Sequence, residues 1–199
     1  MTPHYTKDEL LALGFKAVGE HCQISRKTSF YGCQRISLGN FVRIDDFCVL
    51  SAGEGGINLG NYIHIAVFST LIGAGRITVN DFCNISSRVS IYSSNDDYSG
   101  EFMTNPMVPD AFTNVSHQPV CLQKHVIIGA GSVILPNVTL AEGVAVGALS
   151  LVNLSLSGWG IYAGQPAKFI KARSQRLLTQ ENKFLAANKM NQQGFNSKC

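Results

Sequence analysis

Five histidines and the adjacent aspartates Asp96 and Asp97 are the candidate proton-transfer groups of this chain. Asn95, Asp96 and Asp97 open an unpatterned stretch in the string SSNDDY, and His117 closes it in NVSHQP. An imidazole exchanges protons near neutral pH, and a carboxylate beside it fixes its tautomer and stabilises the imidazolium that forms. Aspartates at a loop start also cap their own backbone in Asx turns, so both readings stand for Asp96 and Asp97. Tyr98, Phe102, Met103 and Phe112, in the same stretch, either wall a pocket or staple the loop down. The remaining histidines read more plainly. His4 precedes an N-terminal helix and His21 follows it, while His125, in QKHVIIG, occupies a turn position and reads as structural.

What must position these groups is set by a sixfold beat. Leu122, Ile128, Ile134, Leu140, Val146 and Val152 recur at every sixth residue, and upstream the beat returns in triplets: Leu38, Ile44, Leu50; Leu59, Ile65, Leu71; Val79, Ile85, Ile91. Six fits neither the helical period nor the alternation of one amphipathic strand. It fits a parallel β-helix, in which each flat face takes one inward aliphatic residue per hexapeptide and each coil buries its face by stacking on the next. The expected class is therefore all-β, with 21–158 as the solenoid, 1–20 as an N-terminal capping helix and 159–199 as a C-terminal segment with a second helix. Thr6 and Glu9 form a capping-box pattern, with Leu10, Leu13 and Ala17 on one face. Ser174 is placed to cap a helix over about 174–188, with Leu177, Leu178, Phe184 and Leu185 as its apolar stripe. The spacing stretches at AGEGG (52–56) and GAGR (73–76), which predicts bulges at one corner. It fails altogether over 92–119, and a long patternless loop in a compact domain usually has a function.

Composition narrows the class. The chain of 199 residues is 45% hydrophobic and 15% charged, enough for a sizeable core in one domain. A net charge of +3 without a dense Lys/Arg run argues against a nucleic-acid partner and leaves room for a phosphorylated small molecule. The first residues lack an apolar signal region, and no run of eighteen apolar residues exists, so a cytoplasmic protein with no membrane span is expected. Cysteines 22, 33, 48, 83, 121 and 199 form no CxxC pair and read as reduced thiols.

The repeat, the run KHVIIGAGSVILPNVTLAEGVAVGALSLV (124–152) and the closing YAGQPAKFIKAR (162–173) resemble the hexapeptide-repeat acyltransferases. The interrupting loop is similar to that of the sugar and surface-polysaccharide O-acetyltransferase branch, which holds the galactoside and maltose enzymes. The resemblance implies a left-handed β-helix, a homotrimer with active sites between neighbouring prisms, acetyl-CoA as donor with no metal, and a histidine as general base on a hydroxyl or amine of a sugar or nucleotide sugar. GNYIHIA is similar to the G-x-x-x-HIA stretch of those enzymes, which makes His64 a rival of His117 for the base. Asp96 and Asp97 join them as catalytic candidates, and Asn95, Tyr98 and Phe112 as acceptor-binding ones. Gly129, Gly147, Ala148 and Gly164 lack bulk where the CoA arm must pass, and Lys168, Lys171 and Arg173 are candidates for its phosphates. Trp159 either stacks on adenine or plugs the solenoid end.

One departure matters: galactoside-type enzymes carry their catalytic histidine at the loop start, where this chain has SSNDDY. Two other readings therefore stay open. One is a non-catalytic β-helix assembly module. The other is a zinc hydrase of the β-helix carbonic anhydrase type, with His64, His117 and His125 as ligands. The acceptor, and whether oxygen or nitrogen is acylated, stays open as well.

Overall fold

The structure is a computed structural model and describes residues 3–196; Met1, Thr2 and residues 197–199, with Cys199, lie outside the described residues. The chain winds into a left-handed parallel β-helix with three flat faces. The first face stacks Gln23–Ser25, Arg43–Ile44, His64–Ile65, Asn84–Ile85, Ile127–Ile128, Ala145–Val146 and Gly160–Gly164. The second stacks Ser29–Tyr31, Val49–Ala52, Thr70–Gly73, Ser90–Tyr92, Val133–Ile134 and Leu151–Val152. The third stacks Ala17–Val18, Ile36–Leu38, Ile57–Leu59, Ile77–Val79, Val120–Leu122 and Val138–Leu140. Every hexad leader of the sixfold beat points inward and is buried. They meet in register, as Leu50 with Leu71 and Leu71 with Ile91, so the core is one continuous column.

Both ends of the first face are closed by antiparallel strands, His4–Tyr5 on Gln23–Ser25 and Ala167–Ala172 on Gly160–Gly164. Added strands of this kind satisfy edge groups that would otherwise template further pairing. The N-terminal helix α1 (Lys7–Ala12) begins at the expected capping box, with Thr6 and Glu9 bonded reciprocally. It is shorter than the apolar spacing suggests. Gly14 turns the backbone to φ +89°, a conformation few other residues take cheaply, and Ala17 starts the first strand instead of extending the helical face. The C-terminal helix α2 (Leu177–Asn196) starts three residues beyond Ser174, whose hydroxyl accepts from the Arg176 amide. Cys48 and Cys83 are buried, and burial pushes their thiols up to about 11 and about 12.

Each of the three corners has its own chemistry. Between the third and first faces, His21, Phe41, Tyr62, Phe82, His125 and Trp159 all adopt φ between +54° and +62°. Left-handed backbone is uncommon for bulky residues. Here stacking compensates, because ring centroids from His21 to His125 follow one another at 4.7 to 5.2 Å. The preceding residue supports the turn: Asn40, Asn61 and Asp81 each accept a backbone N–H from the coil before. Trp159 continues this ladder across Gly143, where a Cβ would fall 2.5 Å from its ring, so it neither plugs the axis nor stands free. Between the first and second faces, Phe47 and Phe68 stack at 5.1 Å with Lys27 and Arg88 over their outer sides. The third corner carries the bulges at 53–56 and 73–76, and the long loop leaves directly above them.

Candidate active site

The loop has an ordered base. Ser93 is buried and donates its hydroxyl to the Gly75 carbonyl at 2.7 Å, while its own carbonyl accepts from Gln118 N. Ser94–Asn95 then pairs antiparallel with Ser116–His117, which zips the two ends of the loop together. Farther out, a bridge joins Met103 to Thr113 beside a single 3-10 turn at Asp110–Phe112. The segments enclose a cleft of about 440 Å³ whose walls include Asp96, Thr104, Asn105, Asp110, Asn114 and His117.

The two adjacent aspartates do different things. Asp97 is engaged by its own loop: it accepts from the Ser99 amide at 2.9 Å, the Ser99 hydroxyl at 2.6 Å and Asn114 Nδ2 at 3.2 Å. Those bonds, that of the Ser99 side chain foremost, hold its carboxyl below the ordinary carboxylate value. Asp96 instead lines the cleft with His117. His117 is exposed, with Nδ1 2.8 Å from Ser94 Oγ. Asn95 is tied to neighbouring backbone: its side chain donates to the Asp96 carbonyl and its carbonyl accepts from the Ser116 hydroxyl. Tyr98 and Phe112 are exposed and stand outside the cleft wall.

His64 lies elsewhere, on the outside of the first face. Its Nε2 is 2.9 Å from Asp45 Oδ2 and its Nδ1 3.0 Å from Asn84 Oδ1, so both ring nitrogens are engaged. Burial works to raise Asp45, but hydrogen bonds from His64 and Arg43 outweigh it and hold the carboxyl below its ordinary value. His125 is buried in the aromatic ladder and bonds Glu181 of α2 at 2.8 Å. The three histidines considered as a zinc set are thus on one face and at two different corners. Among the described residues no cluster of His, Cys, Asp or Glu is arranged to hold a metal ion.

Gly129 and Gly147 sit on the first face, and both have a packing reason for being glycine. A Cβ on Gly129 would fall 2.4 Å from Ala148 N, and one on Gly147 would fall 2.9 Å from Ala163 Cβ. Ala148 is exposed at the next corner, Gly164 turns the chain at φ +106°, and Lys168 is exposed on the edge strand. Arg173, expected toward phosphates, folds back on the ladder corner: its Nη1 donates to the carbonyls of His125 and Gly143 at 2.9 Å and of Val144 at 3.3 Å, and desolvation lowers its pKa.

Asp45 and Asn84 beside His64, and Ser94 beside His117, are not among the candidate residues of the sequence. The first pair had a signal. Successive coils place Arg43, His64 and Asn84 in one register, so residues about one coil away in sequence become side-chain neighbours. Ser94 had none, because its partner lies across the loop.

No family model matches the chain. It is 57% identical over 176 residues to an Escherichia coli dTDP-4-amino-4,6-dideoxy-D-glucose acyltransferase, covering 88% of this chain and 92% of that protein. Its fold superposes with a TM-score of 0.90 on AntD, an N-acyltransferase from Bacillus cereus solved with dTDP and 3-hydroxybutyryl-CoA, at 46% identity over 95% of this chain and all (100%) of that one. A maltose O-acetyltransferase from Clostridium difficile 630 shares the fold at 18% identity and a TM-score of 0.56, over 84% of this chain and 75% of that one. No described helix is long and apolar enough to cross a membrane. The chain belongs to the hexapeptide-repeat acyltransferases, within the group that transfers acyl groups from CoA to sugars.

Proposed function

We propose that the chain transfers an acetyl group from acetyl-CoA to the amine of a dTDP-linked 4-amino-4,6-dideoxy sugar, in the cytoplasm, as a homotrimer. The observation that carries the reading is the loop cleft, where Asp96 faces the cavity with His117 while neighbouring Asp97 is committed to the loop. A sugar amine is largely protonated near neutral pH and becomes a nucleophile once that first proton has gone to solvent; a carboxylate in the acceptor pocket then accepts the second proton, which the nitrogen releases as the amide forms. The acceptor nitrogen attacks the thioester carbonyl carbon and its proton passes to Asp96. The carbon–nitrogen bond forms, the carbon–sulfur bond breaks, and sulfur leaves as the CoA thiolate.

The first face suits the donor arm. Ala66, Ser86, Gly129, Gly147 and Ala163 occupy one outward register over successive coils. With strands about 4.8 Å apart, five such positions make a floor about 19 Å long with no large side chain. His64, flanked by Asp45 and Asn84, borders that floor as a fixed polar group. The loop corner and the first face lie on opposite sides of one prism, so a complete site needs the loop of one protomer over the first face of the next. That arrangement supports the homotrimer.

The test is a thiol-release assay with acetyl-CoA and dTDP-4-amino-4,6-dideoxy-D-glucose, with the 4-hydroxy sugar nucleotide in parallel. Rapid release with the amine alone is expected. No release with either, or preference for the hydroxyl, rejects the reading. Sedimentation equilibrium tests the trimer.

A further inference from the structure

His117 is tied to the loop base through a short relay. The Ala74 amide donates to Ser94 Oγ at 2.8 Å, and Ser94 Oγ lies 2.8 Å from His117 Nδ1, across the paired ends of the loop. A serine hydroxyl has one proton to give. The amide fills one of its lone pairs, and among the described residues the acceptor within reach of its proton is His117 Nδ1. In a neutral imidazole the nitrogen that accepts leaves the other as the N–H. We propose that Ser94 fixes His117 as the Nε2–H tautomer, so that His117 donates a hydrogen bond to an oxygen of the bound acceptor and does not take its proton. Ser94 is then a positioning residue and His117 a binding donor. The proton of the attacking nitrogen is left to Asp96, the carboxylate on the same cleft wall. This inference rests on the loop cleft being the acceptor site.

His117→Gln separates the two roles, because a glutamine carboxamide presents an N–H near the position of Nε2 but cannot act as a base. For a neutral donor, His117→Ala should raise KM for the nucleotide sugar about tenfold with kcat nearly unchanged. His117→Gln should recover most of that loss and retain the wild-type acid limb of kcat/KM. If His117 is the base, His117→Gln is as slow as His117→Ala, with kcat lower by about 10²–10⁴, and the proposal falls.

An independent readout uses the unaltered protein. With ¹⁵N-labelled histidine, the signals lost in His117→Gln should report Nε2–H at neutral pH, and an Nδ1–H tautomer overturns the proposal. Ser94→Ala should mix the two tautomers, and Ser94→Thr should restore one. Absence of any thiol release by the wild-type enzyme would reject the acceptor assignment, whereas the tautomer measurement stands apart from turnover.

Discussion

Two corners of the same prism each hold a histidine, and the two are opposites. At the ladder corner His125 is buried between Phe82 and Trp159, with its Nε2 on Glu181. Phe184 of α2 closes the stack edge-on against Tyr62 and Phe82. At the loop corner His117 is exposed, keeps one nitrogen on Ser94 and turns toward a polar cleft. One corner uses imidazole as a flat ring with a charge partner that ties a helix down. The other keeps it open to a ligand. Residue type sets what a histidine is capable of, and the stacking of coils decides which capability is used.

The comparison breaks most visibly at the cleft. Asp96→Asn should lower turnover by about 10²–10⁴ with thermal stability unchanged, measured by thiol release and calorimetry. Asp97→Asn should reduce turnover far less, because its carboxylate serves Ser99 and Asn114. Equal losses would mean that both acids take part in the chemistry. At the ladder the order reverses. Phe82→Ala removes a ring stacked 4.9 Å from Tyr62 and 5.2 Å from His125 and should destabilise the fold by about 2 kcal/mol, read from denaturant midpoints.

A smaller effect sharpens the role of Glu181. Burial pushes this carboxyl up, but hydrogen bonds from Lys124 and His125 outweigh it and hold it below its ordinary value of 4.5. A lowered native pKa stabilises the fold fully above 4.5, and that contribution is lost as pH falls through the native value. The ladder should therefore loosen on the acid side of 4.5, reported by the fluorescence of Trp159, the single tryptophan. Glu181→Gln should remove that acid transition and leave catalysis intact. The smallest effect lies away from both corners. Thr70 Oγ1 is buried on the second face without a partner among the described residues. Thr70→Val should be neutral or stabilising by up to about 1 kcal/mol in thermal melts.

Much of the scaffold was legible because its signal is local. Leu122 through Val152 mark inward positions by period alone, and the breaks at 52–56, 73–76 and 92–119 mark a single corner where the chain departs from the coil. Thr6 and Glu9 announced their capping box for the same reason, since both partners lie within one turn. The cleft was legible only as a place. Asp96 and Asp97 are chemically identical neighbours, and what distinguishes them is Asn114 and Ser99 closing on one and not the other. Arg173 reads as a phosphate candidate beside Lys171, yet it satisfies carbonyls 30 and 48 residues away.

The sequence by itself determined the prism, its three faces, and the point at which a loop leaves it, because one inward residue per hexapeptide encodes the whole column. The tertiary structure decided which acid faces the cleft, that His125 is held by a helix, that His64 has both nitrogens engaged, and which nitrogen of His117 points outward. Those outcomes depend on hydrogen-bond partners that stacking brings in from neighbouring coils and loop closure from the far end of the loop. No local pattern of residue types carries that information.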